Sequence, residues 1–352
     1  MKLEAVPEGA LERVGAALGL LPTPVVRLLW SVILPRIFIP ALKLGVFDAL
    51  AAGNETPEQL ATACRCDAEG MSVLLAALNG FGFLRRSRGR YRLTRDAAKW
   101  IVTSSPSSIR PAFAFAEVLE EMMAGIEETV RTGRRGDLHQ KPHPPEFWRG
   151  YMEGLGAVAR MVGIEIARRT TLGNPKRILD VGGGHGCYSV ALCKRYPGCS
   201  AEVLDLAPAC SVGRDIVTKL GFSDRVSFRE GDLRTAAWGS GYDAVLLFNI
   251  LHNLPEPETR DALRRAREAL NPGGTLLIFD GAHSGKTGDL NSAEGFGELF
   301  FFSVSASKTW PESTLREWMQ AAGFEGIRRT RLFSFPNTVL LAARNPSSGS
   351  FC

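Results

Sequence analysis

The stretch Arg177-Ile-Leu-Asp-Val-Gly-Gly-Gly-His-Gly186 decides the fold. Arg177 to Val181 reads as a short buried parallel strand, because it is mostly apolar and a glycine loop ends it. A helical pattern follows from Cys187 to Tyr196, and a second strand, Ser200 to Leu206, carries Asp205 near its end. Strand, glycine loop, helix, strand and terminal acid make the nucleotide-binding half of a doubly wound sheet. The glycines let backbone approach a ligand closely. An acid at the next strand end can accept hydrogen bonds from both hydroxyls of a ribose.

The spacing separates two classes of ligand. A dinucleotide loop reads G-x-G-x-x-G, its third glycine allowing close helix–strand packing. Counted from Gly182, that third position is Cys187. The loop reads D-x-G-x-G-x-G from Asp180 to Gly186 instead. This form suits S-adenosylmethionine, which has no pyrophosphate to cradle.

Composition narrows the rest. A chain of 352 residues is long for one domain and suggests two. With 45% hydrophobic and 22% charged residues, it has the make-up of an ordinary soluble globular protein. A net charge of +5, dispersed except for Arg85-Arg86-Ser-Arg88-Gly-Arg90, does not announce nucleic acid. Seven cysteines, with no C-x-x-C pair, fit free thiols in a reducing cytoplasm. Residues 18–47 are apolar but broken by Pro22, Pro24, Pro35 and Pro40. They read as short apolar helices needing a partner surface, and not as a membrane span. Lys2, Glu4, Glu8 and Glu12 do not fit a signal peptide.

The first hundred residues read as helices with a small wing. Helical apolar spacing covers Pro40–Leu50. Thr56-Pro57-Glu58-Gln59 caps a helix, and Asp67 opens another that runs to Leu78. Gly80–Leu84 and Tyr91–Leu93 flank the basic turn as a hairpin. The second helix, Glu69–Leu78, has no side chain able to read base edges, so DNA is not expected as a partner. Glu117–Arg131 reads as one helix, Gly133–Pro145 as a loop, and Phe147–Thr170 as a long helix. His139 and His143 stand four apart in that loop, but Pro142, Pro144 and Pro145 prevent a helix from presenting them as metal ligands, and no metal is expected. From Pro175 strands and helices alternate. The remaining strands are Val226–Glu230, Tyr242–Phe248, Gly274–Asp280, Gly326–Leu332 and Thr338–Ala343, with helices Glu258–Leu270 and Ser313–Ala322.

Ligands of open α/β sheets bind outside the carboxyl ends of the strands. Gly182, Gly184, Asp205, Asp232 with Leu233, Phe248 and Asp280 lie at those ends. His252 follows the fourth strand, and Asp280 ends its expected neighbour. An acid there can hold one imidazole nitrogen protonated while the other accepts a proton from a substrate.

These motifs together resemble the metal-independent, S-adenosylmethionine-dependent small-molecule O-methyltransferases, of the plant phenolic and bacterial antibiotic-tailoring types. The resemblance runs over residues 30–345. It rests on Leu179–Gly186, Gly221-Phe-Ser-Asp-Arg-Val226, Gly231-Asp-Leu233, Leu251-His-Asn-Leu-Pro255, Leu270-Asn-Pro-Gly-Gly274 and Ala321-Ala-Gly-Phe324. It implies an α/β fold: a doubly wound Rossmann-like methyltransferase sheet with an N-terminal all-helical winged-helix dimerisation domain. The expected parts are 1–105 for dimerisation, 106–172 as a helical linker shaping the substrate pocket, 173–346 for the cofactor, and a disordered tail at 347–352.

The resemblance also implies roles. Gly182 and Gly184 would approach the methionine part of the cofactor, Asp205 the ribose, and Asp232 and Leu233 the adenine, with Phe248 nearby. His252 would be the base, with Asp280 and Asn253 beside it. Trp148, Met152, Phe296 and Phe300 would line the acceptor pocket, with Phe147, Phe301 and Trp310 near them. Arg149 or Arg160 would reach the cofactor carboxylate. The acceptor would be a small molecule, the product S-adenosylhomocysteine, and the enzyme a homodimer joined through its N-terminal helices.

Three departures stand out. Asn253 and Leu254 replace the usual Asp-Trp after the base. Phe248 stands where relatives often carry a polar side chain. A second acid flanking the base is absent from Ser305–Trp310, or is moved to Glu312. They leave room for altered chemistry on the same fold (C- or N-methylation, decarboxylation, hydroxylation or a pericyclic step) and, further off, for a DNA-binding regulator.

Overall fold

The computed structural model describes residues 9–281, 290–335 and 338–346. Lys2, Glu4, Glu8 and the expected tail 347–352 lie outside them. Two compact units divide the chain, Met1–Arg110 and Pro111–Cys352. The expected linker 106–172 is not a body of its own, since its helices from Pro111 onward belong to the sheet unit.

In the first unit, Thr56 caps the helix Pro57–Cys64 with Gln59 completing a capping box, and Asp67 caps Ala68–Gly80. The wing is a hairpin of β1 (Leu84–Ser87) and β2 (Arg90–Leu93), so this unit is not all-helical. Arg85 and Arg86 sit inside the strand and only Arg88-Gly89 make the turn. Phe38, Phe47 and Phe83 meet ring to ring above Leu60, Leu75 and Leu78.

The apolar segment is one helix, Thr23–Lys43, and not several short ones. Pro35 and Pro40 lie inside it. Each proline forfeits one backbone hydrogen bond, but the neighbouring turns keep theirs and the helix continues. By length and composition alone the helix could cross a membrane, so proline content was the wrong ground for setting that aside. Leu28, Leu29, Trp30 and Val32 are all at least half exposed on it. That is exposed apolar surface looking for a partner.

The second unit is built on a seven-stranded sheet. Its strands are β3 (Arg177–Val181), β4 (Ser200–Asp205), β5 (Val226–Glu230), β6 (Tyr242–Phe248), β7 (Leu270–Gly281), β8 (Glu325–Thr330) and β9 (Thr338–Arg344). They lie in the order β5-β4-β3-β6-β7-β9-β8. All pairs from β5 to β7 are parallel, and β9 runs antiparallel between β7 and β8. Side chains alternate between the two faces along β3, and both faces are buried. Ile178 packs into the core on one face with Val162, Ile166 and Leu246, and Leu179 into the core on the other with Val245, Leu315 and Trp318.

Among the element boundaries that moved, two bear on the fold. The expected single helix Glu117–Arg131 is two, Ala114–Met123 and Ile126–Thr132, parted at Ala124-Gly125. Glycine there costs helix stability. β7 starts at Leu270, because Leu270 already pairs with Tyr242 before the register shifts. The strand order reverses between β3 and β6, so the crevice of the fold opens there. The glycine loop leaves β3 and His252 follows β6 at that same crevice.

Candidate active site

One side of the crevice is made of strand ends. Gly184 adopts φ +39°, and a Cβ added there would fall 2.7 Å from the Met152 sulfur. Its N–H donates to Asp205 Oδ2 at 2.7 Å, and Leu206 N–H donates to Oδ1 at 2.7 Å. Gly182 N–H is held by the Leu204 carbonyl at 2.8 Å. Burial pushes the Asp205 carboxyl up to about 6. Asp180, fully buried beneath the loop, is pushed up to about 7 for the same reason. Ser189 Oγ donates to its Oδ2 at 2.7 Å, and among the described residues Oδ1 has no partner. Asp232 accepts the Arg234 N–H at 2.8 Å and the Gln140 side-chain amide at 3.2 Å. Leu233 is packed against the core on one face of the sheet. Phe248 is buried, edge-on to Tyr188 and Phe279.

The other side is built around His252. β6 ends at Phe248, and Asn249 turns the chain at φ +52°, a left-handed value that asparagine tolerates better than most residues. Asn249 Nδ2 donates to the Tyr188 hydroxyl at 3.2 Å. The chain then makes the short turn Leu251–Asn253, with His252 buried in it. His252 Nδ1 donates to Asp280 Oδ1 at 2.5 Å. Asp280 also accepts the N–H groups of Leu251 at 3.0 Å and Gly281 at 2.7 Å. That carboxylate is over-determined by its partners, so the imidazole it holds has one orientation. The Phe301 ring stacks on His252 with centroids 3.8 Å apart.

The segment 305–310 clamps the turn. Ser305 Oγ donates to Asn253 Oδ1 at 2.6 Å, Ser307 Oγ to the Leu254 carbonyl at 2.7 Å, and Trp310 Nε1 to the Leu251 carbonyl at 3.1 Å. Asn253 is therefore occupied in holding the turn. Glu312 pairs with Arg316 at 2.8 Å and Arg329 at 2.7 Å. Those ion pairs engage both of its oxygens, and it is not a hydrogen-bond partner of His252. Of the expected acceptor residues, Trp148 and Met152 are buried and Met152 abuts the glycine loop. Phe300 is buried too, while Phe296, stacked on it, is 46% exposed. Arg149 lies on the surface beside Glu153 and Asp215. The charge of Arg160 acts instead on His185 of the glycine loop, whose pKa burial draws down to about 4.

Sequence reasoning missed the loop before the long helix Pro145–Arg169. His139 and His143 were weighed only as metal ligands, and they part company. His143 stacks on Phe147 at 3.9 Å and contacts the Leu138 carbonyl at 2.9 Å. His139 Nε2 lies 3.4 Å from the Tyr151 hydroxyl, and Gln140 reaches Asp232. The available signal was position: two polar side chains in a proline-stiffened segment directly ahead of the helix expected to wall the pocket.

Two family models match the chain. An O-methyltransferase domain matches residues 132–325 and an O-methyltransferase dimerisation domain matches 26–104. The chain belongs to the O-methyltransferase family. It is a methyltransferase that depends on S-adenosylmethionine. It is similar to the 3-hydroxy-5-methyl-1-naphthoate 3-O-methyltransferase of Streptomyces sahachiroi, with 29% identity covering 84% of this chain and 87% of that protein. It is also similar to the L-tyrosine C(3)-methyltransferase of Streptomyces lavendulae, with 26% identity over 72% of each. The fold matches human N-acetylserotonin methyltransferase at a TM-score of 0.80 with 19% identity, over 97% of this chain and all of that one. The donor set suits the cofactor: carboxylates for ribose and amine, a glycine turn with no room for side chains, and an orphan buried oxygen on Asp180.

Proposed function

We propose that this methyltransferase moves a methyl group to the hydroxyl of a small aromatic or polyketide-like molecule, with His252 as general base. The observation that carries this is the buried His252–Asp280 pair at 2.5 Å. A carboxylate only accepts hydrogen bonds, so Nδ1 carries the proton and Nε2 is free to take one. When bound, S-adenosylmethionine supplies an electrophilic methyl on a sulfonium and leaves as the neutral thioether S-adenosylhomocysteine. His252 Nε2 takes the hydroxyl proton as the oxygen–carbon bond forms. Asp280 stabilises the resulting imidazolium, and the stacked Phe301 ring keeps water from that face.

Asp205 would hold the ribose, Asp232 and Leu233 the adenine, and Gly182 and Gly184 the methionine part, with Arg160 the better placed of the two arginines for its carboxylate. Trp148, Met152 and Phe300 would line the acceptor space. The exposed apolar surface of Thr23–Lys43, inside the matched dimerisation domain, supports a homodimer through the N-terminal unit. Among the described residues four cysteines are buried as free thiols, which supports a cytoplasmic enzyme.

C- or N-methylation is the second reading. It is favoured by Glu312, which is committed to Arg316 and Arg329 and so leaves Asp280 as the acid seen on the base, and by the L-tyrosine C(3)-methyltransferase among the relatives. Product analysis after incubation with labelled cofactor and phenolic acceptors decides between them. Methyl on oxygen, lost in His252→Ala, is expected. Methyl on carbon or nitrogen, or full turnover in His252→Ala, would overturn the first reading.

A further inference from the structure

The segment ahead of the helix Pro145–Arg169 carries an imidazole, His139, that the reaction above does not use. The segment that carries it is pinned at several points. Gly136 N–H donates to the Ser303 carbonyl at 2.8 Å. A Cβ at Gly136 would fall 2.9 Å from that oxygen, so only glycine lets the strand of chain lie so close. The Arg135 guanidinium sits over the Phe302 ring at 4.2 Å. Asp137 caps the turn Leu138–Gln140 through the His139 N–H at 3.1 Å and lies 3.8 Å from Arg234. The segment thus strides from the helix Ser292–Val304, which carries Phe301 onto His252, to the Asp232 loop on the cofactor side.

His139 sits at the middle of that stride. Its Nε2 is 3.4 Å from the Tyr151 hydroxyl, a long contact, and among the described residues its Nδ1 has no hydrogen-bond partner. Tyr151 in turn stands next to Met152, which abuts Gly184. Beside the dominant effect of burial, the charge of Asp205 also acts on Tyr151 and that of His252 also acts on His139. Burial draws His139 down to about 4 and pushes Tyr151 up, so both are neutral near pH 7. Together they offer a hydroxyl and an imidazole with donor and acceptor capacity to spare. Both side chains are only partly buried, so a ligand can reach that spare capacity.

We propose that His139 and Tyr151 are a second anchor for the acceptor, selecting a flat fused-ring aromatic with an oxygen substituent beside the hydroxyl that is methylated. The inference rests on the methyl-transfer reading of this crevice. His252 addresses the reacting hydroxyl; His139 and Tyr151 hydrogen-bond the neighbouring oxygen and fix the ring between them. An acceptor without that oxygen leaves two polar groups unpaired on binding, which is the stronger form of discrimination.

The probes are 2,3-dihydroxynaphthalene and 2-naphthol, with S-adenosylhomocysteine release as the rate and calorimetry on the S-adenosylhomocysteine-loaded protein as the binding readout. Wild type should favour the diol by at least about tenfold in kcat/KM and in affinity, the worth of about one hydrogen bond. Tyr151→Phe and His139→Ala should each bring the ratio close to one through KM, with cofactor affinity unchanged, and His139→Gln should restore part of it. Equal use of both probes by wild type, a preference that survives both variants, or no diol binding would overturn the proposal. His252→Ala should lower turnover by about 10²–10⁴-fold and leave the binding preference intact. Preferential binding of the diol without methylation would sink the reaction reading and leave the anchor standing.

Discussion

The two sides of the crevice are made of different material. The side proposed for the cofactor is backbone and carboxylate: Gly184 N–H on Asp205, Leu206 N–H on Asp205, Arg234 N–H on Asp232. The side proposed for the acceptor is side chains and rings: His252 on Asp280, Phe301 on His252, Ser305 on Asn253 and Tyr151 beside His139. Backbone groups at strand ends are dictated by sheet topology, so any chain with this strand order presents much the same cofactor site. Rings and hydroxyls on helices and connecting segments vary freely, and there an acceptor can be chosen.

The contrast is broken most directly by two truncations. His252→Ala should lower kcat by about 10²–10⁴-fold, the usual share of general-base help, with S-adenosylhomocysteine affinity unchanged. Asp205→Ala should do the reverse, weakening S-adenosylhomocysteine by about 10–100-fold on loss of charged hydrogen bonds, with little change in kcat at saturation. Calorimetry and steady-state rates on both variants check this. If both variants lose affinity and kcat alike, the crevice is one cooperative unit and the division into sides is wrong.

Proton linkage sharpens the same division. Burial raises Asp205 to about 6 in the folded protein. An acid whose folded pKa is raised favours the folded state at low pH, and that contribution is lost as pH rises through about 6. Cofactor binding should run the other way, because the ribose hydroxyls donate to the ionised carboxylate. S-adenosylhomocysteine affinity should fall as pH drops below about 6, by up to about tenfold per unit. Asp205→Asn should flatten that profile. A wild-type profile that is flat from pH 5 to 8 would mean that Asp205 does not meet the ligand as an anion.

The cofactor side was also the legible side. All seven strands were expected, and β3 to β6 fell closest to their expected bounds, because parallel strands buried on both faces leave short apolar runs between helices. Thr56 and Asp67 were readable for another local reason, since a cap is written in a few adjacent residues. Pro35 and Pro40 misled, because a proline's local cost does not reveal whether the turns around it will hold. His139, Gln140 and Tyr151 were invisible as site residues. Their meaning comes from the chain bending back over strands that follow them by many residues. No spacing rule brings Gln140 to Asp232.

Asn253 gives the smallest and most diagnostic test. It was expected beside the base as part of the catalytic group. The Ser305 hydroxyl donates to its Oδ1 at 2.6 Å, in a buried clamp that also holds Leu251 and Leu254. An Oδ1 so occupied helps position the turn that carries His252. Removing it deletes one neutral hydrogen bond and leaves the Ser305 hydroxyl buried without its partner, a cost of about 1–3 kcal/mol in stability. Asn253→Ala should therefore lower the melting temperature by a few degrees and kcat by less than about tenfold, with the pH dependence of kcat unmoved. Asn253→Asp should retain turnover, because a carboxylate still accepts from Ser305. A kcat loss in Asn253→Ala as deep as that of His252→Ala, at unchanged melting temperature, would return Asn253 to the chemistry and make the acceptor side less modular than its hydrogen bonds suggest.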